Sequence, residues 1–578
     1  MKKLLLLSLL ITYSMFSQLY VSPNGSTDSY IYVNDSHIFV EEGINLTLNN
    51  NDPTLKASIY LREESQLLQG LSNTPNSGTG YISVFQETPD DDSWDYSIWN
   101  SPVGNYILGS GNENFGANRI HDSLSVTNSI ISQFTPTHNG IESPLTISTR
   151  WLYMFTTPAN EAEANYTRIY TNDVVPPEFG FIMKGVGTTN HEQRYDFRGR
   201  AKNGEMSVPV ENNKKVISGN PYPSAIDLKL LFNDNSNLAT LHYWDEDRTI
   251  DSHYYSIARG GFGSWVPGAP DPIDPNGIYV VPVFKRWDAG GNSSGNYGSG
   301  SDYNRRYSPI GQGIYFTGNS TGTVTLKNDY RVYVKEGNSS IFRRPIDSTD
   351  LRSPQARIYA TFGESHSREM VLAFSEFSTD NYDQGMDGKH PDDINNDIYF
   401  PIENEKYIIQ FVPFQPGKKI PITFEIDQQF TVTIKVTEIV NIDKNAFIWD
   451  NVAHHFYQIN NDNEFNITLP AGVYDNRFFV VFKGNNRESI TENELEMDIN
   501  VNIFQNNSLK QLEIHNIDQY HISDFYIYDI SGKIIINESN LGNNSQININ
   551  TNNISSGAYI VKYVVNGSDI INRKIIIQ

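Results

Sequence analysis

The chain has 578 residues, more than one hydrophobic core ordinarily serves, so three or more domains are expected. Its 43 Lys and Arg against 67 Asp and Glu leave a net charge of −24, and with no basic cluster to reverse that repulsion, nucleic acid is not an expected partner. Cysteine is absent, which excludes thiol nucleophiles, thiolate zinc sites, iron–sulfur clusters and disulfides together, and leaves packing and bound cations to hold the fold.

Lys2 and Lys3 precede an apolar run, Leu4 to Ile11, that is too short to span a bilayer, and Ser17 is small enough for cleavage. Residues 1–17 therefore read as an export signal, with the mature chain starting near Gln18. No later stretch approaches the roughly 20 consecutive apolar residues of a membrane helix.

Short runs of Val, Ile, Tyr, Phe and Thr then alternate with Asn, Gly, Asp and Pro clusters. The expected fold class is all-β and multidomain, built from antiparallel β-sandwich modules. Polar and glycine-rich breaks divide the mature chain into a first region, 18–337, with long aromatic-rich loops, a β-sandwich at 338–505, and a small C-terminal domain at 506–578. Within the first region, the strand-like pieces 31–49, 57–69 and 80–86 lie about one solenoid rung apart. Successive hairpins of a sandwich explain them as well and are the preferred reading; a short β-solenoid is the alternative.

Two G-x-S-x-G matches follow, at Gly291–Gly295 and Gly318–Gly322. A nucleophile elbow needs a strand before the serine and a helix after it, and neither match has that setting. The first lies in residues 289–304 (AGGNSSGNYGSGSDYN), a flexible surface loop by composition, and the second reads as a hairpin turn. Trp265 and Trp287 flank Gly/Pro-rich loops, where planar rings can stack on sugar faces.

In the second region, Phe430, Val432, Ile434 and Val436 alternate with polar residues, the pattern of a half-buried strand. Phe478 to Phe482 are continuously apolar, as in a strand covered on both faces. His454 and His455 are neighbours and would point to opposite faces of a strand, so they do not suit a shared metal. The acidic run 379–397 is a better candidate, since hard cations want several oxygens at once. Asp380, Asp383, Asp387, Asp392 and Asp393 are its candidate calcium ligands. It is not an EF-hand, because the third and twelfth positions from Asp383 are Gly385 and Ile394. Asp90 to Asp95 and Asp245 to Asp251 are weaker acidic clusters.

From Phe525 two apolar runs flank Asp529, Ser531 and Gly532, which is hairpin chemistry. A second turn, Ser555-Ser556-Gly557, leads into a strand from Ala558, and a basic-apolar strand from Lys574 ends the chain. These residues closely resemble the type A sorting domain of the type IX secretion system of Bacteroidota. The resemblance rests on Tyr528-Asp529-Ile530-Ser531-Gly532-Lys533, on Ile554 to Lys562 with Gly557, Tyr559 and Lys562, and on Lys574. The chain departs from that family at its start, where Phe504-Gln505-Asn506-Asn507-Ser508 stands in place of the usual Pro-Asn-Pro element. The resemblance implies passage through the periplasm, export across the outer membrane through residues 506–578, the secretion machinery as partner, and a place at the cell surface or outside it. Upstream, Trp99 to Gly104, Gly219 to Ser224, Gly311 to Phe316, Phe374 to Asp387 and Asn476 to Phe478 resemble non-catalytic segments found ahead of such domains.

The expected function is a non-catalytic surface protein for adhesion, binding glycan or protein ligands. The alternative is a secreted hydrolase of glycans or proteins with its acids in the first region's long loops.

Overall fold

A computed structural model describes residues 19–49, 56–105, 110–160, 162, 165–187, 191–288, 293–336, 351–392, 394–415, 417–460, 462–483, 501–507, 509–516, 519–530, 532–565 and 569–577. The export signal at 1–17, Asp393 and Ser531 lie outside the described residues. The chain divides into two compact units, Met1–Lys483 and Gly484–Gln578.

Parallel pairing governs the start of the first unit. Strands Leu19–Val21, Ile44–Leu46 and Ser77–Gly78 stack in one wall, with Leu19 beside Ile44 and Asn45 beside Ser77. Ile31–Asn34, Ile59–Arg62 and Ile82–Asp91 form a second wall, and His37–Val40 with Gln66–Gln69 a third. Each wall takes one strand from each successive turn of the chain, which is a short β-solenoid. The preferred reading of this stretch as sandwich hairpins is thereby corrected, because hairpins pair antiparallel. The recurrence puts like residues in register, so that Val21, Ile44, Leu46, Ile59, Leu61 and Leu67 share one buried core. Ile82–Asp91 then pairs antiparallel with His191–Ala201, and the solenoid wall continues as an ordinary antiparallel sheet.

Two further sheets of the first region matter for the site. One runs Lys215–Gly219, Gly313–Gly318, Leu238–Glu246, Gly260–Val266, Val283–Trp287 and Ser293–Ser299. The other runs Thr167–Arg168, Tyr153–Met154, Phe181–Lys184 and Tyr96–Trp99. Ser293–Ser299 corrects the expectation of a flexible loop: it pairs with Val283–Trp287, and the Asn296 amide donates to the Asn395 carbonyl at 2.9 Å. Tertiary contacts here outweigh a Gly/Ser composition that disfavours strands. Gly318–Gly322 is likewise not a hairpin turn. Gly313–Gly318 pairs with Lys215–Gly219, whereas Gly322–Leu326 pairs with Met206–Val210, so the turn passes the chain between sheets.

Three distant segments meet where these sheets join. Trp99 is fully buried against Tyr195 and Phe197 and bridges Gln312. The Asn100 N–H donates to the Gly311 carbonyl at 2.8 Å, and the Asn220 N–H to the Gln312 carbonyl at 2.9 Å. The Asn220 side-chain nitrogen lies 2.7, 3.0 and 2.9 Å from the carbonyls of Ser224, Ser308 and Pro309. Gly313 must be glycine, since a Cβ there would lie 2.6 Å from Ile98 Cγ2 and 2.7 Å from the Trp99 nitrogen.

The second region, from Gln355 to Lys483, wraps its own core around Ile358, Phe362, Leu372, Phe400, Phe424 and Val480. Asp397–Ile402 serves both of its faces: Asp397 to Tyr399 pair with Ile420–Ile426, and Phe400 to Ile402 with Glu405–Val412. In Phe430–Val440 the buried Val432, Ile434 and Val436 alternate with outward-facing threonines and a lysine, as their periodicity requires. Val266, Ile278 and Val280 of the first region pack against Val371, Ile408 and Phe411 of the second, which ties the two regions into one unit.

In the second unit, Val501–Asn506, Gln511–Asn516 and Gln546–Asn550 form one antiparallel sheet. Ile534–Gly542, Ile522–Asp529, Gly557–Val565 and Asp569–Ile577 form the other. Leu512, Ile514, Phe525, Ile527, Val561 and Tyr563 fill the space between them.

Asn220→Ala strips a donor from buried carbonyls while leaving a methyl-sized space. It is expected to lower unfolding free energy by about 3 kcal/mol, read from the denaturant midpoint; a change within experimental error would remove Asn220 from its central place in the junction.

Candidate binding cleft

A cavity of about 790 Å³ lies within the first unit and is lined by both of its regions. Its floor follows from strand alternation. Lys215 pairs with Thr317, and Tyr315 with both Ile217 and His242. Trp244 pairs with Phe262 one strand further along, so these residues share one face of the sheet. Ile98 and Ile182 of the opposing sheet pack with Ile217, Phe262 and Tyr315 beneath the cavity.

Aromatic rings dominate the inner walls. Trp244 and Trp287 lie 5.6 Å apart between centroids at 34° to one another. The hydroxyls of Tyr166 and Tyr315 are 3.0 Å apart. Tyr96, Tyr153 and Tyr255 also face the cavity. Two ammonium groups rest on ring faces: Lys215 Nζ lies 3.8 Å from the Phe262 centroid, and Lys184 Nζ 4.6 Å from that of Tyr96. Lys184 also donates to the Trp94 carbonyl.

Two polar groups are set into this floor. Glu246 accepts from Trp244 Nε1 at 2.6 Å and from the Tyr96 N–H at 3.3 Å. Burial pushes its carboxyl above the usual range, and Lys184 only partly offsets that. His242 is fully buried, with Nδ1 2.9 Å from Ser264 Oγ and no hydrogen-bond partner for Nε2 among the described residues. Burial, then the Lys215 charge, hold its imidazole far below the ordinary value, so the ring is neutral at physiological pH.

The second region supplies a charged wall. Lys285 pairs with Asp392 at 2.8 Å, and Arg368 lies 3.6 Å from Asp392 and 2.8 Å from Asp397. His390 Nε2 is 2.6 Å from Asp397, and Lys389 Nζ 2.6 Å from Glu405. Burial raises the Asp392 and Asp397 carboxyls, but the cations around them prevail and hold both well below the usual range. The stability they contribute is therefore complete above the unfolded value near 3.9 and is lost as the pH falls through the folded values. Arg368→Met leaves two buried carboxylates short of their shared cation, expected to cost about 3–5 kcal/mol near pH 7. The penalty should shrink near pH 3 as the variant's carboxyls take up protons; equal penalties at both pH values in urea titrations would contradict the pairing.

The residues singled out in the sequence fall in different places. Asp380 pairs with Lys418 on the surface. Asp383 accepts from the Thr379 N–H, and the buried Asp387 accepts from the N–H groups of Asp383 at 2.7 Å and Phe411 at 2.8 Å. Asp392 stands apart in the cleft wall, and Asp393 lies outside the described residues. Among the described residues no three His, Asp or Glu side chains are grouped to hold a metal ion. Trp287 does line the cleft, but Trp265 is buried core, packed on Phe232 with its Nε1 donating to the Asn276 carbonyl at 3.0 Å. Sequence reasoning missed Lys215, His242, Trp244 and Glu246. A signal for three of them exists, since His242, Trp244 and Glu246 recur at every second position of one strand, where apolar residues would suffice for packing.

In the C-terminal unit, Asp529, Gly532 and Lys533 close one turn. The Gly532 N–H donates to the Asp529 carbonyl and the Lys533 N–H to Asp529 Oδ1, both at 3.0 Å, and Gly532 takes φ +85°. Gly557 opens the strand Gly557–Val565, and the Tyr559 hydroxyl donates to the Ser555 carbonyl at 2.8 Å. Lys562 pairs with Tyr526 and Asn572, and Lys574 with Ile560, so Lys562 lies on an inner strand of that sheet and Lys574 on the edge strand beside it.

No helix among the described residues is long and apolar enough to cross a membrane. Residues 502–578 match the secretion system C-terminal sorting domain. Residues 11–482 match the family described as domain of unknown function (DUF8693). No curated protein matches the chain. Among solved structures, the BSP domain of a biofilm-associated protein aligns over 86% of this chain and 96% of its own at 9% identity, with a TM-score of 0.11, too slight a likeness to carry an argument. The chain thus belongs to the DUF8693 family and ends in a sorting domain that makes it a type IX secreted protein of the outer surface or cell exterior.

Proposed function

We propose that this exported protein binds saccharide at the cell surface, with the aromatic cleft as its binding site. The observation that carries the reading is one cavity in which ring faces and hydrogen-bonding groups share a single space. Sugars offer C–H patches to ring faces and hydroxyls to polar groups, and the volume falls in the range of small-ligand sites, about 300–1,000 Å³. Trp244 and Trp287 supply a pair of platforms; Glu246 and Asn213 supply polar edges. The hydrolase alternative is less well supported. A glycosidase needs two carboxyl groups at liberty on either side of the bond, whereas three of the four that line the cleft are engaged: Asp392 and Glu405 by Lys285 and Lys389, and Glu246 by Trp244 Nε1 and the Tyr96 N–H.

The reading is tested by titrating oligosaccharides into the mature protein by calorimetry. Trp244→Ala and Trp287→Ala are each expected to weaken binding by about tenfold or more through lost ring contact. Undiminished binding by both variants would place the ligand elsewhere.

Export is tested separately. Removal of residues 502–578 should leave the protein in the periplasm with the folding of Met1–Lys483 unchanged. Surface delivery of that truncation would show that the tail is not the address.

A further inference from the structure

We propose that Lys202 and Asn100 join covalently in the folded protein, through an intramolecular amide between the lysine Nζ and the asparagine Cγ that forms with release of ammonia. The inference is independent of what the cleft binds.

The backbone brings the two side chains together. Asn100 follows the strand Tyr96–Trp99 with its N–H on the Gly311 carbonyl at 2.8 Å, and Lys202 follows the strand His191–Ala201 with its N–H on the Pro102 carbonyl at 3.2 Å. Val103 pairs with Ala201 beside them. Both side chains end inside the protein, Asn100 being 0% and Lys202 1% exposed. Lys202 Nζ lies 3.5 Å from Asn100 Oδ1 and donates to the Pro177 carbonyl at 2.7 Å. The carbon to be attacked is one carbonyl bond, about 1.2 Å, from that Oδ1.

The chemistry of each partner suits the reaction. Lys229, Lys285 and Lys389 each meet a carboxylate, whereas Lys202 meets two neutral carbonyl oxygens and no carboxylate at ion-pair distance among the described residues. Burial pushes its ammonium down to about 7, only partly offset by the charge of Glu178, so a large share of the amine is neutral and nucleophilic at physiological pH. Asn100 Nδ2 is buried with no hydrogen-bond partner among the described residues. The amide nitrogen therefore gives up no hydrogen bond on leaving, and an unmet polar group is removed with it. Holding the two groups in one fixed geometry gives them an effective concentration far above that of free reactants.

The step balances without an outside reagent. The Nζ lone pair forms a bond to Cγ, the Cγ–Nδ2 bond breaks, a proton passes from Nζ to the departing nitrogen, and ammonia leaves. The product retains one N–H for the Pro177 carbonyl. In a chain without cysteine, such an amide supplies the covalent tie that a disulfide cannot. It fastens the residue after the buried Trp99 to the end of His191–Ala201.

The experiment measures the intact mass of the folded, mature protein, then digests it and sequences the peptides by tandem mass spectrometry. The mass is expected to fall one ammonia, about 17 Da, below that of the sequence, with a branched peptide joining the segments that carry Asn100 and Lys202. Lys202→Met and Asn100→Ala should each restore the full mass and lower the melting temperature. Cyclisation of an N-terminal Gln18 loses the same mass, but it persists in both variants and yields no branched peptide. A full unmodified mass, linear peptides carrying unaltered Asn100 and Lys202, or a loss retained by Lys202→Met would overturn the proposal. Should a variant fail to fold, the branched peptide from the unaltered chain decides alone: its presence supports the bond and its absence overturns it.

Discussion

The first unit depends on one close backbone junction, in which Trp99, Gly219 and Asn220, and Gly311 to Gly313 come together. Gly219 pairs with Gly313, and an added Cβ at Gly219 would lie 2.2 Å from the Gln312 carbonyl oxygen. Glycine at these points lets two sheets approach until their backbones exchange hydrogen bonds, and Trp99 fills the space that side chains would otherwise claim. Asn220 closes the junction by donating to the carbonyls of Ser224, Ser308 and Pro309. The cleft is a consequence of that approach. With the strands Tyr96–Trp99 and Gly313–Gly318 fixed against one another, residues immediately beyond the junction on each strand, Tyr96 and Tyr315 among them, face a common space.

The second region completes the cleft by an electrostatic wall. Arg368 is fully buried and held between Asp392 and Asp397, and His390 adds a further contact to Asp397. Such a network costs desolvation and is tolerated where its members are mutually paired. Asp392 of that network also holds Lys285, while Lys389 is held separately by Glu405.

The C-terminal unit has a different logic. Its turn at Asp529–Lys533 is closed by hydrogen bonds between residues within that turn, and its core of Leu512, Phe525, Val561 and Tyr563 is its own. Local turn chemistry and a core drawn from its own residues make this stretch a compact unit in its own right.

The all-β class, the strand at Phe430 to Val436 and the C-terminal turns were legible in the sequence, because alternation and turn chemistry are local properties. The same periodicity fits a strand whether its partner runs parallel or antiparallel, so the hairpins preferred near the N-terminus became a solenoid only when registers such as Ile31 with Ile59 were known. Composition misjudged Ser293–Ser299, since pairing with Val283–Trp287 outweighs the disorder that Gly and Ser suggest. Trp265 and Trp287 looked alike in the chain; burial alone made one core and the other cleft. The cleft itself gathers side chains from Tyr96 to Lys406, and no spacing along a chain records which of its strands will face each other across a cavity.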